Sequence, residues 1–347
     1  MSIVYSKLPT LDFLRPHLEV PEVNTGMQYA LTPNGIVTDN QEGLHAVQDE
    51  QGRVVLRSGI EFSMVVYRGQ TEEHKLCVPS LARKKHIAEQ LMELCRHVAF
   101  EDAIGDHPYV RICEQARFGD SPLFINRPGL AQHYGLATDM LDLTSNFDIA
   151  CFFATCRWNN ASHSYQPVEH ATVPGVLYRM LPLALIQFSE TGSLSHVGWQ
   201  PFHRPEQQRA CALRMQTGQN FAKLPGVQLI RFRQNRKVSV RIWKSFDEGR
   251  SLFPNDAASI LAEQAKFLVQ FTRGQIDRAW VKLVSWRGTG CTIDDRIRIE
   301  KSLGITIAEH PVLNWDDLDM ERDEGKLRNQ LNQVLANVRY RLTASID

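Results

Sequence analysis

The order of strand-like and helix-like segments is the feature that most constrains the fold of this chain. Short apolar runs, typical of buried strands, alternate irregularly with longer stretches whose apolar residues recur at helical spacing. A doubly wound sheet needs regular alternation of strand and helix, so the irregular order predicts an α+β fold. The expected strands lie at residues 64–67, 140–143, 175–181, 227–233 and 238–243, and the expected helices lie around residues 87–98, 109–118, 144–154, 255–271 and 322–342.

The charge of the whole chain is balanced, because lysine plus arginine and aspartate plus glutamate both number 39. This balance gives no overall attraction to nucleic acid or to an anionic membrane. The first residues lack the cationic start and apolar run of a secretory signal, and no stretch reaches the ~18 apolar residues of a membrane span. Seven scattered cysteines without a Cys-x-x-Cys pair are typical of reduced thiols and offer no closely paired metal ligands. We therefore expect a cytoplasmic protein with no metal site and no membrane partner.

The chain is predicted to have three parts. Residues 1–55 are rich in turn formers and are expected to be a loosely structured lead-in. Residues 56–272 are expected to form the main domain, and residues 273–347 a mainly helical extension. The helix expected at 322–342 carries one apolar stripe, which would pack into a core or mediate a homo-oligomer. The stripe consists of Leu327, Leu331, Val334, Leu335 and Val338.

One local charge anomaly lies at residues 204–244. Ten basic residues against one acidic residue, Glu206, give this stretch a formal charge of +9, and Phe221, Phe232 and Trp243 interleave with them. Such a pattern is typical of a nucleic-acid-binding face, and would equally suit a rim that gathers an anionic dinucleotide. The alternative is that these cations pair with acidic residues elsewhere in the balanced chain. The basic residues are Arg204, Arg209, Arg214, Lys223, Arg231, Arg233, Arg236, Lys237, Arg241 and Lys244.

Several catalytic fingerprints are absent from the sequence. It has no phosphate loop ending in Gly-Lys-Ser/Thr, no Rossmann glycine triplet and no His-Glu-x-x-His. It also has no Gly-x-Ser-x-Gly elbow. The common NTPase, dehydrogenase, zinc-protease and α/β-hydrolase classes therefore lose their main support.

An ordered set of short motifs resembles the FRG family, which is named for a Phe/Tyr-Arg-Gly motif. The sequence departs from the usual family pattern at Ala137, Asp139 and Leu143, where proline, arginine and tryptophan are usual. The resemblance implies a domain more than an activity, because the family is largely uncharacterised. The matching segments are residues 67–69 (Tyr-Arg-Gly), 78–83, 131–136 (Ala-Gln-His-Tyr-Gly-Leu), 141–144, 216–218 and 251–255.

The layout also resembles, more remotely, the ADP-ribosyltransferase fold. This resemblance implies a mixed or antiparallel sheet core with flanking helices and NAD as the cofactor. Arg68 would bind a phosphate or ribose oxygen of NAD, Gly69 would let the backbone approach the ligand, and Thr144 would donate an orienting hydrogen bond. The expected cofactor-binding residues are Tyr67, Arg68, Gly69 and Gln132.

The third motif of those enzymes supplies a glutamate, and this sequence has none at the corresponding place. Gln216 is the positional candidate, and Glu206 is the acidic substitute. A carboxylate there would hold a ribose hydroxyl and stabilise the cationic transition state, whereas glutamine keeps the hydrogen bond and loses the charge. NAD binding without efficient transfer is therefore an open alternative.

His133 and Asp142 offer a separate chemistry. A histidine oriented by a carboxylate can act as a general base, which would suit a hydrolase or nuclease. The alternative is that His133 is a buried packing residue, and that Asp142 and Thr144 only shape the turn before the next helix.

Three functions from different classes follow from these motifs. The first is an NAD-binding, ADP-ribosyltransferase-like protein that modifies a macromolecule, in the role of a toxin, an effector or an anti-phage (antiviral defence) factor by analogy. The second is a non-catalytic nucleic-acid- or nucleotide-sensing module that uses residues 204–244, with binding that falls steeply as salt rises. The third is a hydrolase or nuclease centred on His133 and Asp142.

Overall fold

Helices and strands follow one another in an irregular order, so the α+β class is confirmed. The computed structural model describes residues 5–19, 29–32, 35–38, 43–49, 51–59, 65–169, 172–182, 193–288, 292–315 and 323–340. The strands and helices within these residues are numbered in chain order.

The strands are β1 (Tyr29–Thr32), β2 (Gly35–Thr38), β3 (Gly43–Gln48), β4 (Val54–Gly59), β5 (Val66–Gln70), β6 (Arg117–Phe118), β7 (Ser121–Pro122), β8 (Met140–Thr144), β9 (Cys156–Asn159), β10 (Ser164–Pro167), β11 (Gly175–Met180), β12 (Ser193–His196), β13 (Ala210–Arg214), β14 (Val227–Phe232), β15 (Gln270–Thr272), β16 (Thr306–Ala308) and β17 (Val338–Tyr340). The helices are α1 (Leu11–Leu18), α2 (Ile87–Asp106), α3 (Pro108–Glu114), α4 (Arg127–His133), α5 (Phe147–Thr155), α6 (Arg204–Gln207), α7 (Arg236–Ser245), α8 (Ala257–Ala265), α9 (Arg273–Arg287), α10 (Ile293–Ser302) and α11 (Glu324–Ala336).

A six-stranded antiparallel sheet, in the order β12-β13-β8-β5-β11-β14, positions the predicted motifs. Its two central strands, β5 and β8, pair only through Tyr67 and Thr144. Each of these strands pairs along its whole length with its other neighbour, β11 or β13. The sheet therefore has two three-stranded halves that meet at one residue pair. The strands diverge beside that pair, next to Arg68 and Asp142.

Helix α5 covers one face of the sheet at this junction. It begins after Asn146, whose side chain accepts a hydrogen bond from the backbone of the first turn. The helix approaches β5 so closely that a Cβ atom on Gly69 would lie 1.9 Å from the carbonyl oxygen of Ala150. The rings of Tyr67 and Phe147 meet edge to face with centroids 5.4 Å apart. The missing side chain at Gly69 therefore sets the distance between helix and sheet.

Further apolar cores surround this junction. The opposite face of the sheet buries Leu141, Leu143 and Tyr178 in one core. Helices α3, α4, α8 and α11 pack with the C-terminal part of α2 in a second core, and α9 packs on the N-terminal part of α2 in a third. These cores hold α4, which carries two predicted site residues, beside the edge of β8.

The last described strand pairs with an early strand in a separate three-stranded sheet. Strand β17 pairs in parallel with β3, and β3 pairs antiparallel with β4. Leu327 and Leu331 of α11 are buried in the same core as Leu56 and Phe100. The C-terminal apolar stripe thus packs against its own chain. A homo-oligomer through this helix and the domain limits at residues 55 and 272 stay predictions.

The predicted strand at 238–243 is wrong, because these residues lie in helix α7. Asn235 caps this helix by accepting hydrogen bonds from the backbone of Lys237 and Val238. Val238 and Ile242 are buried one helical turn apart. A short run with apolar residues at alternate positions is compatible with a strand and also with one face of a short helix. The helix cap and the tertiary contacts determine that this segment is helical.

We predict that Gly69→Ala strongly destabilises the fold. The new methyl group would meet the backbone of α5, which cannot move away as a flexible side chain would. We expect a loss of about 3 kcal/mol or more in the free energy of unfolding, measured by chemical denaturation. Gly274→Ala in α9 is the matched control, because a Cβ there would meet nothing within 4 Å. A tolerated Gly69→Ala would contradict the close packing of α5 on β5.

Candidate functional site

Side chains from two other segments, β5 and α4, converge on Asp142 of β8. Arg68 of β5 donates from Nη1 to the backbone oxygen of Asp142 at 2.6 Å. Gln132 of α4 donates from Nε2 to Oδ2 of Asp142 at 3.0 Å, and Nε2 of His133 lies 3.6 Å from Oδ1. The Asp142 side chain is 43% exposed and the His133 side chain 2% exposed. The carboxylate therefore opens toward solvent, with the imidazole behind it.

The ends of helix α4 explain why Gln132 and His133 face β8. Asn126 caps the helix start by accepting a hydrogen bond from the backbone of Gly129. The helix stops at His133, and Gly135 then takes a φ of 84°, which turns the chain toward the next strand. The last turn of α4 thus presents both polar side chains to the strand that carries Asp142.

Gln208 connects His133 to Thr144. Oε1 of Gln208 lies 3.0 Å from Nδ1 of His133, and its backbone oxygen accepts a hydrogen bond from the Thr144 hydroxyl at 2.8 Å. The same hydroxyl accepts from the backbone of Asn146 at the start of α5. Thr144 therefore holds β8, α5 and the approach to β13 together. Sequence analysis missed Gln208, because nothing in its local pattern distinguishes it from a surface glutamine.

Two arginines approach the same cleft. Arg83 lies in the 3₁₀ turn Leu81–Arg83 and donates to the backbone oxygen of Val78. Its partial burial and the positive charge of Arg68 lower the pKa of Arg83, against the opposing effects of Cys77 and Asp142. Neither Arg68 nor Arg83 forms a salt bridge within the described residues. Two guanidinium groups at one place favour an anionic ligand.

A group of buried polar atoms in this cleft lacks hydrogen-bond partners among the described residues. Such orphan atoms are rare in folded proteins and often mark functional sites, since each one costs free energy. They are Nε of Arg68, Nε2 of His133, Oδ1 of Asp142 and Nε of Arg204.

Aromatic side chains form a wall on the other side of His133. The rings of Tyr165 and Phe253 are stacked with centroids 4.6 Å apart, and Phe153 contacts both edge-on. Arg204 lies 5.5 Å from the Phe253 ring and donates to the backbone oxygen of His133 at 3.2 Å. Burial, with a smaller effect of the Asp142 charge, raises the pKa of Tyr165 to about 12. A flat base or sugar could stack here.

Two predicted cofactor-binding residues serve the core. Tyr67 is 3% exposed, and its hydroxyl donates to the backbone oxygen of Leu18. Gly69 packs against α5. Tyr67 and Gly69 flank Arg68 along β5 and hold it in place. That either residue contacts a ligand stays a prediction.

The two candidates for the third motif lie apart from each other. Gln216 is exposed, in the turn beyond the end of β13 that pairs with Met140. Thr144 pairs with Ala210 at the other end of β13. The two ends of this strand are about 13 Å apart, because a strand rises about 3.3 Å per residue. Glu206 is closer, because it lies on α6 just before Gln208. Burial raises the pKa of Glu206, against the lowering effects of His203 and Arg209.

Acidic residues outside the basic stretch 204–244 neutralise part of its charge. Arg204 is not on an open face, because its guanidinium lies 4.3 Å from the ring of Tyr134. Four further arginines form ion pairs with distant acids, as the balanced-charge alternative predicts. Nucleic-acid binding through this stretch stays a prediction. The pairs are Arg214 with Asp139, Arg231 with Glu73, Arg236 with Glu169 and Arg241 with Asp12.

Other features of the described residues point away from alternative sites. No group of three or more His, Cys, Asp or Glu side chains there is arranged to hold a metal ion. The six described cysteines are buried, and none of them forms a disulfide with another described cysteine. Within the same ranges, no helix has the length and apolarity needed to cross a membrane. A cavity of about 460 Å³ lies elsewhere, beside Arg127 and Arg278, and both arginines are paired with carboxylates.

Comparison with known proteins identifies one family. Residues 63–163 match the family model of the FRG domain. This range includes Arg68, His133, Asp142 and Thr144, and ends before Gln208 and the Phe253 segment. Neither a curated protein nor a solved structure matches the chain significantly.

We predict that Tyr134→Phe destabilises the protein, although the ring is retained. The Tyr134 hydroxyl donates to Oδ2 of Asp256 at 2.5 Å, and Asp256 caps α8. Loss of this buried hydrogen bond to a carboxylate should cost about 1.5–3 kcal/mol in thermal or chemical unfolding. Tyr109→Phe is the matched control, because the buried Tyr109 hydroxyl has no hydrogen-bond partner among the described residues. Equal effects of the two substitutions would contradict the assigned role of Tyr134.

Proposed function

The chain carries an FRG domain, and we propose that this domain binds NAD, or a closely similar nucleotide, in the cleft around Asp142. The observation that carries the proposal is the convergence of Arg68 and His133 on Asp142. These residues come from motifs far apart in the sequence. A shared position in a polar, partly open cleft is what a binding site requires and what unrelated packing residues lack.

The position of the motifs supports an ADP-ribosyltransferase-like core. Arg68 and Thr144 lie on neighbouring strands, and α5 follows Thr144 directly. This is the arrangement of the first and second motifs that the sequence resemblance implies. The single pair between β5 and β8 leaves a gap into which a ligand can enter beside Arg68.

Each part of the cleft suits one part of a dinucleotide. Arg68 and Arg83 supply positive charge for the diphosphate, and Arg68 offers a planar fork of donors. The stacked rings of Tyr165 and Phe253 supply a surface for a base. Asp142 supplies an exposed carboxylate near the imidazole of His133. The proposed ligand is therefore anionic at its centre and aromatic at an end, as NAD is.

The third motif is best assigned to the region of Gln208. Gln208 precedes β13 and contacts both His133 and Thr144, whereas Gln216 lies at the far end of that strand. No carboxylate occupies the Gln208 position, so Asp142 is the proposed source of negative charge for a cationic transition state. ADP-ribose transfer to a macromolecule, in a toxin, effector or anti-phage role, is the wider form of this proposal.

Hydrolysis is the second candidate function, and the 3.6 Å approach of His133 and Asp142 favours it. A water molecule activated by this pair would release nicotinamide from NAD without labelling a macromolecule. Incubation with NAD labelled in the adenylate part, with detection of free nicotinamide and of labelled protein and nucleic acid, separates the two reactions.

We predict that Arg68→Ala weakens NAD binding roughly 10- to 100-fold, since a charge-assisted hydrogen bond contributes about 1.5–3 kcal/mol. Isothermal titration calorimetry measures the affinity, and Arg68→Lys should restore little of it. Arg250→Ala is the control, because this exposed arginine pairs with its sequence neighbours Asp247 and Glu248. Undetectable NAD binding in the wild type, or equal affinity in Arg68→Ala, would falsify the proposal.

We predict that Asp142→Asn separates binding from turnover. The amide keeps the shape of the side chain and removes its charge, so NAD affinity should fall by no more than about 10-fold, the effect of one lost hydrogen bond. The rate of nicotinamide release should fall by about 100-fold or more. Asp139→Asn is the control, since Asp139 pairs with Arg214 outside the cleft. Turnover that survives Asp142→Asn would assign the charge to another carboxylate, such as Glu206.

A further inference from the structure

The hydrogen bonds of Gln208 fix the position of a proton on His133. Nε2 of Gln208 donates to the backbone oxygen of Leu252 at 2.9 Å. A carbonyl oxygen only accepts, so the amide orientation is determined and Oε1 must face His133. Oε1 lies 3.0 Å from Nδ1 of the imidazole. Because Oε1 also only accepts, the ring must carry a proton on Nδ1.

The other ring nitrogen then faces a second acceptor. A neutral imidazole carries one proton, so Nε2 of His133 presents a lone pair. It lies 3.6 Å from Oδ1 of Asp142, while Gln132 holds Oδ2 by donating to it at 3.0 Å. Nε2 and Oδ1 are both buried and lack hydrogen-bond partners among the described residues. Two acceptors that face each other repel, and a proton donor between them removes the repulsion.

We propose that Gln208 is a positioning residue that holds His133 in its Nδ1–H form, so that Nε2 of His133 and Oδ1 of Asp142 share the one hydrogen bond donated by a hydroxyl of the ligand. The arrangement of these two acceptor atoms does not depend on which reaction the protein catalyses. The identity of the hydroxyl rests on the proposed function, in which it belongs to a ribose of NAD. This arrangement reverses the usual assignment of roles, because a glutamine, and not the carboxylate, orients the histidine.

A ligand can approach Nε2 of His133 and Oδ1 of Asp142 from one side only. Arg204 covers the backbone side of His133 by donating to its carbonyl oxygen, and the His133 side chain is 2% exposed. The Asp142 side chain, at 43% exposure, forms the open side. Nε2 and Oδ1 are themselves buried in the ligand-free protein, so a ligand hydroxyl reaches them where the exposed Asp142 side chain moves aside, on the side of Arg68 and the cleft.

Nitrogen-15 NMR of the imidazole rings tests the positioning role in the ligand-free protein. His133 is assigned among the 12 histidines by the signal that His133→Gln removes. We expect the pattern of an Nδ1–H tautomer in the wild type. In Gln208→Leu we expect the proton to move to Nε2, where it can donate to Asp142. Gln200→Leu is the matched control, because Gln200 is also buried and donates to a backbone oxygen, that of Val197.

Two outcomes of the NMR experiment would overturn the inference. One is an Nε2–H tautomer, or a doubly protonated ring, in the wild type at neutral pH. The other is an Nδ1–H tautomer that persists in Gln208→Leu. Thermal unfolding of both leucine variants checks that each is folded at the temperature of the spectra. If Gln208→Leu is unfolded at that temperature, Gln208→Met replaces it in the experiment.

Calorimetry with deoxy forms of NAD tests the hydroxyl. Loss of one hydroxyl from the correct ribose should weaken binding roughly 10-fold, the effect of leaving buried acceptors unpaired. The same loss should have no effect in Gln208→Leu, whose Nε2 no longer accepts. Equal affinity of every deoxy form for the wild type would contradict the hydroxyl assignment. Absence of any NAD binding would contradict the proposed function instead, and the NMR result would still decide the role of Gln208.

Discussion

The contact between helix α5 and strand β5 at Gly69 is the constraint on which the candidate site depends. Because α5 follows β8 directly, seating the helix against β5 also fixes the end of β8 relative to β5. The two strands consequently touch at Tyr67 and Thr144 and then separate. Arg68, the next residue along β5, is held at the mouth of the gap. One residue without a side chain thus places the cleft, through packing that cannot be relaxed locally.

The cleft concentrates polar atoms that the fold itself leaves unsatisfied. A buried donor or acceptor without a partner costs about 1–3 kcal/mol, so several at one place need compensation from the surrounding cores. The aromatic cluster of Phe152, Phe153, Tyr165 and Phe253 and the capped helices supply that compensation nearby. In the proposed function, the bound nucleotide would satisfy the remaining polar groups.

Electrostatics distinguishes this cleft from the rest of the surface. Most described arginines of the basic stretch lie against acidic residues or aromatic rings, and exposed pairs of that kind contribute little to stability. Arg68 and Arg83 have no such acidic partner within the described ranges, and the charge of one lowers the pKa of the other. Charge density along the sequence therefore pointed to residues 204–244, whereas the structure places two arginines without an acidic partner close together, one on β5 and one in the turn at Leu81–Arg83.

The sequence by itself determined the α+β class, four strands of the six-stranded sheet and several of the helices, and it singled out the segments that meet at the site. Hydrophobic periodicity identified the α2 helix and strands such as β8 and β11. The ordered motifs singled out Arg68, Gln132, His133 and Asp142 as candidates, and the structure places these residues together. Only the tertiary structure decided that residues 236–245 are helical and that Gln208 and Tyr165 belong to the cleft. Local patterns record which face of an element is apolar. They do not record which distant side chain completes a hydrogen bond, because that depends on how β13, α4 and the Phe253 turn pack together in space.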